Sequence, residues 1–273
     1  MDPTLAKGHK NDFFREVRAE LNQVVQNHLR LTRSAIPTFR KRSQWDKYVG
    51  QCVKQLGDYL LHHRIVGSKR HPALCLYLFD EEAERAYNSW NEKCLGSCAF
   101  ILSANPFDAV VRILGFNLSE HAVQRIFERQ IADNVALTYT EKLHLIIGEL
   151  QHAPLLCTFW SIVALLRLSR EETAPFEVLV PTPHGLLLGE MSPSKMHLCE
   201  LRTFVPCDQL FASQHQLRND LLSLSARFGE SAMAFYLLSV TKDIQIDQDL
   251  SGDMLTAGAS VLQATGHADL IPR

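Results

Sequence analysis

This sequence lacks the signatures that open most enzyme assignments. It holds no G-x-S-x-G, no H-E-x-x-H, no G-x-x-x-x-G-K-[ST] and no G-x-G-x-x-G. Serine hydrolases of the elbow type, zinc proteases, P-loop NTPases and dinucleotide enzymes therefore lose most of their support. Long hydrophobic runs are missing too. The uncharged stretch from Ala153 to Leu166 contains Pro154 and is shorter than the about 20 apolar residues a bilayer span needs, so it reads as a buried helix and no membrane partner is expected. The opening MDPTLAKGHKNDFF has no apolar segment of the secretory kind. Proline and glycine, at 11 and 13, are not enriched, which with ordinary apolar content excludes a disordered chain. The seven cysteines are an odd, scattered set, and the pair Cys94 and Cys98 has no second pair to complete a zinc site. Reduced thiols in a cytoplasmic protein, with no metal and no cofactor, are the expectation.

What the chain does have is 46% apolar residues in 273, enough for one large domain or two modest ones at roughly 100–200 residues each. Its formal charge of −2 hides an asymmetry. Residues 1–72 carry 14 basic side chains against six acidic, and the remainder carries 14 against 24. A basic front ahead of an acidic remainder points to an anionic partner, RNA or the ribosome, for the front.

Periodicity predicts a helix from about Asp12 to Arg33, with Phe14, Val17, Leu21 and Val24 on its apolar side. A second helix, capped by Ser43, carries Trp45, Val49, Cys52, Val53, Leu56, Tyr59 and Leu60, and His62 and His63 close it, where cationic histidine suits the dipole. Ala73 to Phe79 reads as a buried strand, DEEAERAYNSWNEK as a helix, and the run around Phe100 as a second apolar strand. A boundary is expected between Asn105 and Pro106. Beyond it PFDAVVRILG and LSEHAVQRIFERQ read as two short helices, and Thr140 caps a third that Pro154 ends or kinks. FEVLVPT, GLLLGEM and HLCELRTFV, separated by turn residues, describe an antiparallel meander. A helical pattern resumes at Asp208 and runs to about Lys242, broken near Gly229. The expected class is α+β: a mainly helical basic region (1–105), an α+β unit with C-terminal helices (106–243) and an acidic tail (244–273).

The segment from Leu118 to Gln130 concentrates the chemistry. On a helix His121, Arg125 and Arg129 fall at i, i+4 and i+8 and share a face, with Ala122, Val123, Ile126 and Phe127 opposite. Imidazole exchanges protons near neutrality, and guanidinium forks hold phosphate oxygens without losing charge. The plainer reading is a polar surface face on which Glu120 and Glu128 pair the arginines. On the third strand of the meander Arg202 and Thr203 are adjacent, so regular pleating sends them to opposite faces. One of the two is then buried or aimed into a site; a buried Arg202 needs an anion, and Glu190 on the neighbouring strand fits. His184, in the turn PTPHG, is a second titratable group that would suit two-step acid–base catalysis, although a turn histidine is usually just solvated.

The order of a helix reading HAVQRIFERQ, a helical spacer, strands EVLVPT and GLLLGEM, and a strand ending ELRTFVP resembles the RNase-like toxin domains of the barnase–EndoU–colicin–RelE group. The likeness covers about Leu118 to Ser225, and the spacer is longer than in a minimal toxin. It implies metal-independent RNA cleavage leaving a 2′,3′-cyclic phosphate. His121 would be the general base or acid, Arg125, Arg129 and Arg202 would stabilise charge on phosphate, and Thr203 would orient a phosphate oxygen. The rival expectation is a non-enzymatic interaction module, of effector or immunity type, that meets a protein partner through its helical faces.

Overall fold

The computed structural model describes residues 2–34, 42–57, 60–67, 72–79, 93–103, 111–131, 135–195, 198–228 and 248–272. Helix α1 spans Pro3–Ser34. It starts well before the periodic stripe because Asp2 accepts the Thr4 amide at 2.7 Å, and Pro3 fits a first helical position. Ala6, Phe13, Phe14 and Val17 form its buried side. Helix α2, Arg42–Leu56, buries Trp45, Val49, Cys52 and Leu56 at helical spacing. It begins one residue ahead of Ser43, which therefore lies in its first turn and is not its cap. It stops at Gly57, whose φ of 48° lies in the left-handed region glycine adopts freely. Leu60, His62 and His63 consequently belong to a strand and not to the helix end.

That strand is β1 (Leu60–Gly67), followed by β2 (Pro72–Phe79), β3 (Cys94–Ser103) and β4 (Val111–Ser119). Each pairs antiparallel with the next. The expected helix PFDAVVRILG is a correction: its second half is β4, paired residue by residue with β3 from Ile101↔Val111 to Cys98↔Leu114. The expected helix over Asp80 to Lys93 lies, but for Lys93, outside the described residues. Helices α3 (Glu120–Gln130), α4 (Tyr139–Glu149) and α5 (Ala153–Ser169) come next. Thr138 and not Thr140 caps α4, in a reciprocal capping box with Glu141. Pro154 sits in the first turn of α5, and α4 and α5 meet at a 44° bend. The meander follows as β5 (Phe176–Pro181), β6 (Gly185–Met191) and β7 (Cys199–Pro206). Helices α6 (Ala212–Phe228), α7 (Gln248–Ala257) and α8 (Ala259–Ala264) complete the described chain; the stretch expected to continue helical to Lys242 lies outside it.

The fold is α+β, with one seven-stranded sheet in the order β1-β2-β3-β4-β7-β6-β5. The expected meander is one end of this sheet, joined to the other by a short parallel pairing of Phe116 to Leu118 with Cys199 to Leu201. The boundary expected between Asn105 and Pro106 lies outside the described residues. No single helix among the described residues is long and apolar enough to cross a membrane. Instead α5 is buried from Ala153 to Ala164 within the protein. Trp160, fully buried, stacks edge-on with Phe159 and donates its indole N–H to the Leu179 carbonyl at 2.8 Å. Helix α1 closes over α3 and α4: Phe13 meets Phe127 edge-on at 5.8 Å and stacks on Tyr139 at 5.9 Å, and Lys10 pairs with Glu120 at 2.8 Å.

Two stability predictions arise here. Gly189 faces a strand that leaves no room: an added Cβ would lie 2.2 Å from the Glu200 carbonyl oxygen. Gly189→Ala is expected to destabilise the chain by about 1–3 kcal/mol, the usual cost of overpacking, read as a lower urea midpoint; an unchanged midpoint refutes the close approach. The second concerns pH. Burial, aided by the charge of Arg218, lowers the pKa of His152, and burial aided by Arg167 does the same for His267. His9 is lowered by burial and then by Lys142. A depressed folded pKa means the unfolded chain takes up protons first, starting near its ordinary 6.5. Stability is therefore complete above that value and declines as pH falls through and below it. Urea midpoints should drop between about pH 7.5 and about pH 5.5, and His152→Gln should flatten the drop; a flat profile for the unaltered chain would contradict the assignment.

Candidate functional site

Helix α3 is set by its cap. The Ser119 hydroxyl accepts the Ala122 amide at 3.0 Å and donates to the Arg202 carbonyl at 2.7 Å. One side chain thus starts the helix and ties that start to β7. Ala122, Val123, Ile126 and Phe127 are fully buried, while His121 and Arg129 are exposed and Arg125 is partly so. The division of faces read from spacing is the observed one. Arg125 donates to Glu128 at 2.8 Å, and Gln124 donates to the other oxygen of that carboxylate at 2.9 Å. Glu120, the other acid expected to pair an arginine, pairs instead with Lys10.

Arg202 and Thr203 depart from the expectation for a specific reason. Opposite Leu188 stands Thr203 and opposite Gly189 stands Leu201, so Arg202 is the extra residue of a β-bulge. Bulges break alternation. Both residues line one shallow depression with Glu177, Leu188 and Glu190. Arg202 is exposed and not buried. It does pair with Glu190, as expected, and lies 3.6 Å from Glu200.

His184 is not merely solvated. The β5–β6 turn places its Nδ1 2.6 Å from Glu149 Oε1, and Gln130 Nε2 donates to the same oxygen at 2.6 Å. A carboxylate only accepts, so Nδ1 carries the hydrogen and, in the neutral ring, Nε2 keeps the lone pair. The Glu149 side chain is 2% exposed. Its Oε2 is buried with no hydrogen-bond partner. Together these residues line a cleft of about 670 Å³ between the end of α3, α4 and the turn, walled by Ile131, Val135, Leu137 and Leu145. Sequence reasoning missed Glu149 and Gln130. One signal was present: Leu143 and Ile146 of α4 and Leu150, which caps its end, form a buried stripe, and Glu149 puts an acid on its edge, three residues after Ile146.

The six expected site residues thus fall into three places. His121, Arg125 and Arg129 stand on the outer face of α3, Arg202 and Thr203 in the β7 depression, and His184 in the cleft at the other end of α3. No group of three His, Cys, Asp or Glu side chains among the described residues is placed to hold a metal ion. Compared with known proteins, the chain matches no family model, no curated protein and no solved structure. The likeness to RNase-like toxin domains rests on the residues quoted for it.

Proposed function

We propose that the chain is a metal-independent endoribonuclease of toxin type whose working surface is the exposed side of α3 and the adjoining part of β7. The observation that carries this reading is the Ser119–Arg202 hydrogen bond, which fixes the helix start, two residues before His121, against the strand that bears Thr203. In this reading His121 exchanges a proton with the 2′-hydroxyl or the leaving oxygen, and Arg125 and Arg129 hold phosphate oxygens. The Arg125–Glu128 pair has to be exchanged in this reading. The Glu128 side chain is 8% exposed, so a phosphate that draws Arg125 off leaves a buried carboxylate with Gln124 on its other oxygen, a cost the phosphate contact must offset. The basic front contributes non-specific attraction to RNA or the ribosome, and a cytoplasmic location goes with this substrate.

A second reading, a non-enzymatic module that docks on a protein, is favoured by two observations. Arg125 and Arg202 are already partnered by carboxylates, and Phe211 stands 74% exposed. Induction in growing cells separates the two. Growth arrest by the intact chain, relieved by His121→Ala at equal protein level, supports the nuclease. Equal effects of the two chains overturn it in favour of docking.

A further inference from the structure

The cleft beside His184 plays no part in the reading above, and its chemistry differs from that of a phosphate site. We propose that it binds an organic ammonium ion, a small molecule with an apolar body and a protonated amine. The size is suitable, since a volume of about 670 Å³ lies within the roughly 300–1,000 Å³ of small-molecule pockets. The walls supply the apolar contact through Ile131, Val135, Leu137 and Leu145.

The charge selects the head group. Among the described residues the cleft is lined by two carboxyl side chains, Glu141 and Glu149, with His144 and His184 and no Lys or Arg. The Thr138 amide and hydroxyl both donate to Glu141, holding its carboxyl below the ordinary carboxylate range. Glu149 is the more telling group. One oxygen accepts from Gln130 and His184, and the other, buried, has no donor. His184, 67% exposed, lines the cleft beside that carboxylate. A protonated amine supplies the donors and positive charge this arrangement lacks. A carboxylate or phosphate ligand would add like charge to it, which excludes RNA from this cleft.

One wall of the cleft is kept clear at Gly148, an exposed position. A Cβ built there meets nothing within 4 Å, so helix α4 carries a weak helix former at the wall where any longer side chain would occupy the cleft. The position gives a plug that needs no repacking of the core.

The test uses three probes of one shape, 4-phenylbutylamine, 4-phenylbutanol and 4-phenylbutyrate, titrated calorimetrically into the full chain, into Gly148→Leu and into Glu149→Gln. The amine is expected to bind about ten-fold or more tightly than either other probe, a clear margin in affinity terms. Gly148→Leu should lose amine binding while melting no lower than the unaltered chain, and Glu149→Gln should bring the amine down to the level of the alcohol. The proposal is overturned if the amine does not bind at millimolar concentration, if the alcohol or carboxylate equals it, or if Gly148→Leu binds it undiminished.

Discussion

Trp160→Ala is expected to lower the free energy of unfolding by about 3–5 kcal/mol, the range for truncating a fully buried large aromatic. Against a total of roughly 5–15 kcal/mol for a native chain, that loss leaves a marginal or unfolded protein. The size of the effect follows from position. Trp160 is on the helix that is buried on every side through its first twelve residues, with Phe159 at 5.0 Å and Phe176 at 6.3 Å between ring centres. Its indole also satisfies the Leu179 carbonyl on β5, the edge strand of the sheet. Truncation therefore opens a cavity and removes a helix-to-sheet hydrogen bond together. Trp160→Phe keeps most of the volume and removes the bond, and should cost a smaller amount, about 1–2 kcal/mol. Urea unfolding followed by circular dichroism measures both. A loss under about 1 kcal/mol for the alanine variant would mean that α5 is not the centre of the core.

His121→Ala is expected to reduce RNA cleavage by at least about 100-fold, the lower end of what one positioned acid or base contributes. It should leave stability unchanged, because the ring is exposed and the buried side of α3 is carried by other residues. That combination distinguishes a chemical role from a structural one. Arg125→Ala should weaken cleavage less and, because its partner Glu128 is buried, should cost more stability than the about 0–1 kcal/mol of an exposed pair. Parallel loss of activity and melting temperature in the His121 variant would place the residue in the fold and not in the chemistry.

What could be read before the structure divides along physical lines. The faces of α3 were legible because a clean split of apolar and polar positions over three turns admits one helical arrangement. The β5–β7 meander was legible because Pro and Gly punctuate it. The strand β4 was not: Val110, Val111, Ile113 and Leu114 fit a helical stripe as well as a half-buried strand, and the choice was made by β3, whose pairing no local pattern announces. The start of β1 reads as a helix end because Tyr59 and Leu60 continue the apolar stripe past Gly57 and cationic His62 and His63 suit a helix C-terminus; the left-handed turn at Gly57 stops the helix first. The bulge at Arg202 depends on register between strands, which the residues of β7 do not encode by themselves. His184 and Glu149 lie 35 residues apart on a turn and a helix. Their meeting is a product of the α4–α5 bend and the sheet, and only the acid at the edge of an apolar stripe hinted at it.

The proposed activity meets its most direct test in one incubation. Purified full-length chain is mixed with total RNA in excess chelator, and the ends of any fragments are identified by mass spectrometry. The account predicts discrete cleavage with 2′,3′-cyclic phosphate ends, undiminished by the chelator and abolished by His121→Ala. Intact RNA with a folded protein, or cleavage that the chelator stops or the His121 variant retains, would contradict it.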